Sequence, residues 1–124
     1  MSKIRQVGRV MVPVSNQDRA IEFYTGKLGF SLSADVPFGN GERWVEVAPP
    51  DGGAALALVP PQGEYQAGRT TGIALETGDA AEAREELAAA GVDVDAALIG
   101  GDGTVPPMFF MRDQDENSLL IVQQ

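Results

Sequence analysis

The chain has 124 residues, 44% hydrophobic and 22% charged, with no cysteine, no histidine and a formal net charge of −9. Disulfide scaffolds, thiol nucleophiles, thiolate or imidazole metal sites and histidine general bases are therefore excluded by composition. Nucleic acid is excluded as a partner, because phosphate binding needs concentrated positive charge and the nine Lys and Arg residues are scattered through an acidic chain.

A chain of this length and apolar content buries one core, so a single domain over residues 1–124 is expected. No apolar run approaches the roughly 18 residues of a membrane helix, and the N-terminus lacks an apolar export segment, so the expected location is cytoplasmic, with no membrane partner.

In chain order, "RVMVPV" at residues 9–14 alternates. Val10, Val12 and Val14 share the face that meets a helix, and Arg9, Met11 and Pro13 share the other. Pro13 cannot donate to a ladder, which predicts an edge strand. "SNQDRAIEFYTGKLGF" offers Ser15 or Asn16 as N-cap, Ala20, Phe23, Tyr24 and Leu28 at helical spacing, and Gly29 as a stop. "FSLSADV" and "ERWVEVA" read as strands joined by the turn-rich "PFGNG", which is either a mobile lid leading into Trp44 or an ordinary hairpin. "PPDGG" turns the chain into a fourth strand, "AALALV".

After a linker, "PPQGEYQAGR", the same order returns: "TGIALET" as strand, "DAAEAREELAAAG" as helix, then "VDVDAAL", "PPMFFMRD" and "SLLIVQQ" as strands. In the second helix Asp79 caps, Gly91 stops, and Ala80, Ala83, Leu87 and Ala90 face the core. The offset from Arg9 to Gly72 equals that from Ala57 to Leu120, 63 positions, so two copies of one unit are in register. The expected modules span about 4–60 and 70–124.

A paired β-α-β-β-β chain with "AIEFYTGKLGF" after its first strand and "RDQDENSLLIV" at its end resembles the vicinal oxygen chelate superfamily of glyoxalases, bleomycin resistance proteins and extradiol dioxygenases. The likeness covers nearly the whole chain. Phe23, Tyr24, Leu28, Gly29 and Phe30 match the family's "FY…LGF" signature, and "DQDEN" is similar to its "DPDGN" turn, with Gln114 and Glu116 as departures. The resemblance implies an α+β fold of two tandem β-α-β-β-β modules, a cup-shaped mixed β-sheet with the helices on its outer face, and a homodimer. It also implies where a divalent ion sits in metal-dependent members. Those four ligand positions fall here on Arg9, Ala57, Gly72 and Leu120, none of which has a donor for a metal, so no metal and no cofactor is expected.

Arg9 then either replaces the ion's charge and orients a ligand's anionic or carbonyl group, or pairs internally with a carboxylate such as Glu46, which shares a face with Trp44 by parity, or Glu76, which shares one with Gly72 and Ala74. The remaining candidates for ligand contact are Met11, Trp44, Phe110 and Leu120, with Met108 and Phe109 beside them, an apolar and aromatic lining of the kind small-molecule pockets have and cores share. Glu85 and Glu86 read as a solvated helix surface. No phosphate loop, serine triad or zinc spacing is present, and catalytic residues are unassigned, with Tyr24, Tyr65 and the acids as the available proton-transfer groups. The reading that follows is a metal-free protein that takes a small organic ligand in the cup, for sequestration; the alternative is a lyase, isomerase or dioxygenase-like enzyme acting without the usual ligands.

Overall fold

The structure is a computed structural model that describes residues 2–124. It divides into two compact units, the first ending at Ala67 and the second running from Gly68 to Gln124. The first holds β1 (Arg9–Pro13), α1 (Gln17–Gly26), β2 (Ser31–Pro37), β3 (Arg43–Ala48) and β4 (Ala55–Val59). The second holds β5 (Thr70–Thr77), α2 (Ala80–Ala89), β6 (Asp93–Val94), β7 (Met108–Arg112) and β8 (Ser118–Gln123). Each unit is a four-stranded mixed sheet with one helix, ordered β1-β4-β3-β2 and β5-β8-β7-β6. The fold is α+β, as expected.

In both sheets the first strand of the unit pairs with the last in parallel, and the remaining pairs are antiparallel. Met11 pairs with Ala57, which pairs with Glu46; in the second unit Ala74 pairs with Leu120, which pairs with Phe110. The 63-residue offset therefore survives as backbone register between the first and last strands of the two units, and becomes 64 at the next strand, from Glu46 to Phe110. At Gly72 the copies part: the β5–β8 register shifts between Thr70 and Ala74, and Gly72 sits at φ 76°, in the left-handed region that glycine enters without a Cβ clash. Thr71 bridges the gap, its hydroxyl donating to Ser118 O at 2.7 Å and accepting from Ile73 N at 3.1 Å.

Each helix is fastened by its own caps and by the sheet beneath it. Asn16, not Ser15, is the N-cap of α1, its side chain accepting from Arg19 N at 3.0 Å. Gln17 Nε2 donates to Arg43 O and Leu58 O, tying the start of α1 to two strands. Ala20 and Tyr24 are buried against β2, β3 and β4, where Val12, Val45, Val47, Leu56 and Leu58 form the core of the unit. The helix ends at Gly26, and Gly29 at φ 75° turns the chain so that Phe30 N donates to Tyr24 O. In α2 the Asp79 side chain accepts from Glu82 N, and Gly91 at φ 87° lets Val92 N return to Leu87 O and Gly91 N to Ala88 O.

Two expectations change and one left open is decided. Ala90 is exposed at the C-cap of α2 rather than packed in the core, because the chain has begun its terminal turn there. The strand expected over residues 92–98 shortens to Asp93–Val94. Beyond it Asp95 N still reaches Phe110 O, but the chain leaves the ladder until the isolated pairing of Ile99 with Met108. Arg112 explains the early exit, since its guanidinium holds both Asp93 and Asp95 and orders the segment through side chains. The "PFGNG" segment, finally, is a hairpin closed by Phe38 N to Glu42 O at 2.8 Å and Glu42 N to Gly39 O at 2.9 Å, with Gly39, Asn40 and Gly41 all at positive φ.

Candidate small-molecule site on the first unit

The helix-free face of the first sheet carries Arg9 and Met11 from β1, Ala55, Ala57 and Val59 from β4, and Trp44 and Glu46 from β3, as parity and register require. This face has few large side chains at its centre, where Ala57 lies between Met11 and Glu46. The result is a hollow walled by larger neighbours.

A cavity of about 490 Å³ opens on this face, lined by Met11, Trp44, Val59, Pro60, Gln62 and Tyr65. Four of those walls come from the segment around and after β4 that reads in sequence as strand end and linker. Gln62 and Tyr65 pair backbone to backbone, at 3.1 and 2.8 Å, making a tight turn over the sheet. The Tyr65 hydroxyl donates to the Met11 carbonyl, which fastens that turn to β1. Trp44 meets Phe38 from the hairpin at 5.9 Å between ring centroids. A cavity of this size with two aromatic rings, a methionine and a proline around it matches a small organic guest better than an ion.

Arg9 stands two residues before the wall residue Met11 on the same strand and has the internal partner that one of the two sequence readings requires. Its Nε donates to Glu46 Oε2 at 2.5 Å, and the Trp44 indole Nε1 donates to the same oxygen at 2.5 Å. The partner is Glu46; Glu76 on β5 is exposed and its carboxylate makes no hydrogen bond or ion pair among the described residues. The Glu46 side chain is only 9% exposed, while that of Arg9 is 60% exposed. The pair is thus a buried carboxylate held by a guanidinium that reaches out to solvent.

The Trp44 indole donation first, and Arg9 second, hold the Glu46 carboxyl below its ordinary value against the opposing effect of burial. A folded-state pKa lowered in this way contributes stability that is present above the unfolded value of 4.5 and is lost as pH falls through the folded value. Acid titration of the folded protein is therefore expected to destabilise it below pH 4.5 and to shift Trp44 emission in the same window. Glu46→Gln should remove the emission step and flatten the stability slope there; an unchanged acid profile in that variant would assign the step to another carboxylate.

In the second unit, Ala74 and Glu76 from β5, Leu120 and Val122 from β8, and Met108 and Phe110 from β7 share the helix-free face. Phe110 and Leu120 stand opposite each other and are half-buried, whereas Phe109 is fully buried on the helix side. The sequence-predicted residues thus fall into two sets, Arg9, Met11, Trp44 and Glu46 on one sheet and Glu76, Phe110 and Leu120 on the other. Val59, Pro60, Gln62 and Tyr65 were not legible as walls. Only the alternation of "AALALV" signalled that Val59 points the same way as Ala57.

The four positions at which metal-dependent relatives hold an ion do not fit one here. Arg9 offers no lone pair and is bonded to Glu46, Ala57 and Leu120 have no donor atom, and Gly72 lies in the bulge of β5. Among the described residues no group of three or more His, Cys, Asp or Glu side chains gathers at ion-binding distance.

A family model described as Glyoxalase/Bleomycin resistance protein/Dioxygenase superfamily matches residues 6–121. Among solved structures, TnmS3, an antibiotic binding protein from Streptomyces sp. CB03234, is 32% identical with a TM-score of 0.86, covering 99% of this chain and 98% of that one. A member of the same superfamily from Sphaerobacter thermophilus DSM 20745 is 30% identical with a TM-score of 0.87, and 98% of each chain is covered. The uncharacterized protein YetH of Bacillus subtilis (strain 168) is 42% identical over 57 residues, 46% of this chain and 48% of YetH, so the match spans about half of that relative.

Proposed function

The chain belongs to the Glyoxalase/Bleomycin resistance protein/Dioxygenase superfamily, and on that premise we propose that it binds a small organic molecule, without a metal, in the cavity beside Trp44. The observation that carries this reading is the apolar, aromatic cavity on a sheet face that also bears Arg9, at a position where the family resemblance implies an ion ligand in metal-dependent members. The likeness to a protein described as antibiotic binding supports sequestration as the purpose, since holding a toxic compound needs a pocket and no chemistry. The protein works as a cytoplasmic homodimer in this reading, its partner a small molecule rather than nucleic acid or membrane.

Trp44 is the only tryptophan, so its fluorescence reports this cavity alone. A panel of aromatic and amphipathic compounds is expected to contain members that quench Trp44 and raise the melting temperature. Met11→Asp, at a wall residue 53% exposed and so tolerant of charge, should weaken that binding at least tenfold while the protein stays folded. Well-folded protein giving neither a quench nor a thermal shift across the panel would remove the binding reading. So would a stoichiometric divalent metal retained after dialysis and lost on changing Arg9 or Glu46.

A further inference from the structure

We infer that the guest of this cavity carries an anionic oxygen, a carboxylate or an ionised phenol or enol on an aromatic body, and that it docks on the outer edge of the Arg9 guanidinium; the inference rests on the binding reading above. Glu46 engages Arg9 through Nε alone, and neither Nη1 nor Nη2 donates a hydrogen bond among the described residues. The side chain is held from the inside by a buried carboxylate and presents its two terminal nitrogens to solvent. That edge is the planar, two-donor shape that matches a carboxylate or a pair of neighbouring oxygens.

The edge lies within reach of the cavity. Arg9 precedes the wall residue Met11 by two positions on the same strand face, about 6.6 Å along the strand. Trp44, another wall, donates to the same Glu46 oxygen as Arg9, so the aromatic wall and the guanidinium converge on one atom. A bicyclic ring system lying along Trp44 and Met11 would bring a substituent at its end to Arg9. The cavity walls themselves hold no charged side chain. Their polar side-chain groups are the Gln62 amide, the Tyr65 hydroxyl, engaged with the Met11 carbonyl, and the Trp44 indole N–H, engaged with Glu46.

Charge along the chain points the same way. Residues 2–17 contain Lys3, Arg5 and Arg9 and no acid, whereas the protein as a whole carries −9. Three of the nine basic residues fall within seven positions at the approach to β1, and the other six are spread from Arg19 to Arg112. The carboxylate beside Arg9, that of Glu46, is nearly covered and already accepts two donors, so it offers little to a cationic guest.

Calorimetric titration with three probes of one shape, 2-naphthoate, 2-naphthalenemethanol and 2-naphthylmethylammonium, tests the inference. The expected order is naphthoate tightest by at least tenfold over the alcohol, with the ammonium weakest, and a preference that shrinks as salt screens the contact. Arg9→Gln should bring naphthoate down to the level of the alcohol. Binding of all three probes with equal affinity, or a naphthoate preference that survives in Arg9→Gln, would overturn the anionic guest and leave the cavity standing. Binding of none would remove both. Should Arg9→Gln fail to fold, the order of the probes on the unaltered protein and its salt dependence decide the matter alone.

Discussion

Tyr24→Ala is expected to destabilise the protein by about 3–5 kcal/mol, the range for truncating a large buried ring to alanine. Tyr24 is fully buried on α1 and meets Phe23 and Phe30 edge-on, at 5.4 and 5.9 Å between centroids. Its ring is what α1 presents to the helix side of the first sheet, and its carbonyl receives Phe30 N where the chain turns into β2. Removing it opens a cavity next to Val45, Val47 and Leu58, which are locked in the sheet and cannot collapse inward. The consequence reaches the binding site because β3 and β4 carry Trp44 and Val59 on their opposite face. Chemical denaturation followed by circular dichroism should show the loss, and Trp44 emission should report it at lower denaturant than in the unaltered protein. An unfolding free energy within about 1 kcal/mol of the original would mean that α1 is not held by this ring.

Asn117→Ala is expected to cost about 3 kcal/mol, because several polar groups lose their partners at once. Asn117 is fully buried and Asp113 nearly so. The Asn117 Oδ1 accepts from Gly68 N at 2.9 Å and Arg69 N at 3.3 Å, while its Nδ2 donates to Asp113 Oδ2 at 3.0 Å. Asp113 Oδ1 accepts from the backbone of Asp115 and Asn117. The alanine variant leaves two backbone N–H groups and one carboxylate oxygen without these bonds, at the point where β5 is started alongside β8. Glu116 in the same turn offers a control of opposite sign. It stands at φ 62°, a conformation that costs a side chain about 1–2 kcal/mol, so Glu116→Gly is expected to be neutral or slightly stabilising. Thermal melts of the two variants should therefore move apart. An Asn117→Ala melt no lower than that of Glu116→Gly would show that water replaces the lost bonds at no cost.

The alternation of "RVMVPV", the Asn16 and Asp79 caps, the glycine stops and the 63-residue repeat determined the elements, the face each strand presents and the pairing of the two units' registers. They could do so because side-chain period and capping chemistry are local, set by residues within a turn of one another. The same parity put Arg9 with Met11 and Trp44 with Glu46, each pair on one face of its own strand. It left open whether Arg9 meets Glu46 or Glu76, because parity specifies a side of a sheet but not a distance. Only the tertiary structure decided that, by bringing Arg9 and Trp44 onto one Glu46 oxygen. The walls at Pro60, Gln62 and Tyr65 were likewise beyond local reading. A segment with Pro, Gln and Gly has no period to read, and its fold back over β1 depends on one long-range bond from the Tyr65 hydroxyl to the Met11 carbonyl, 54 residues away.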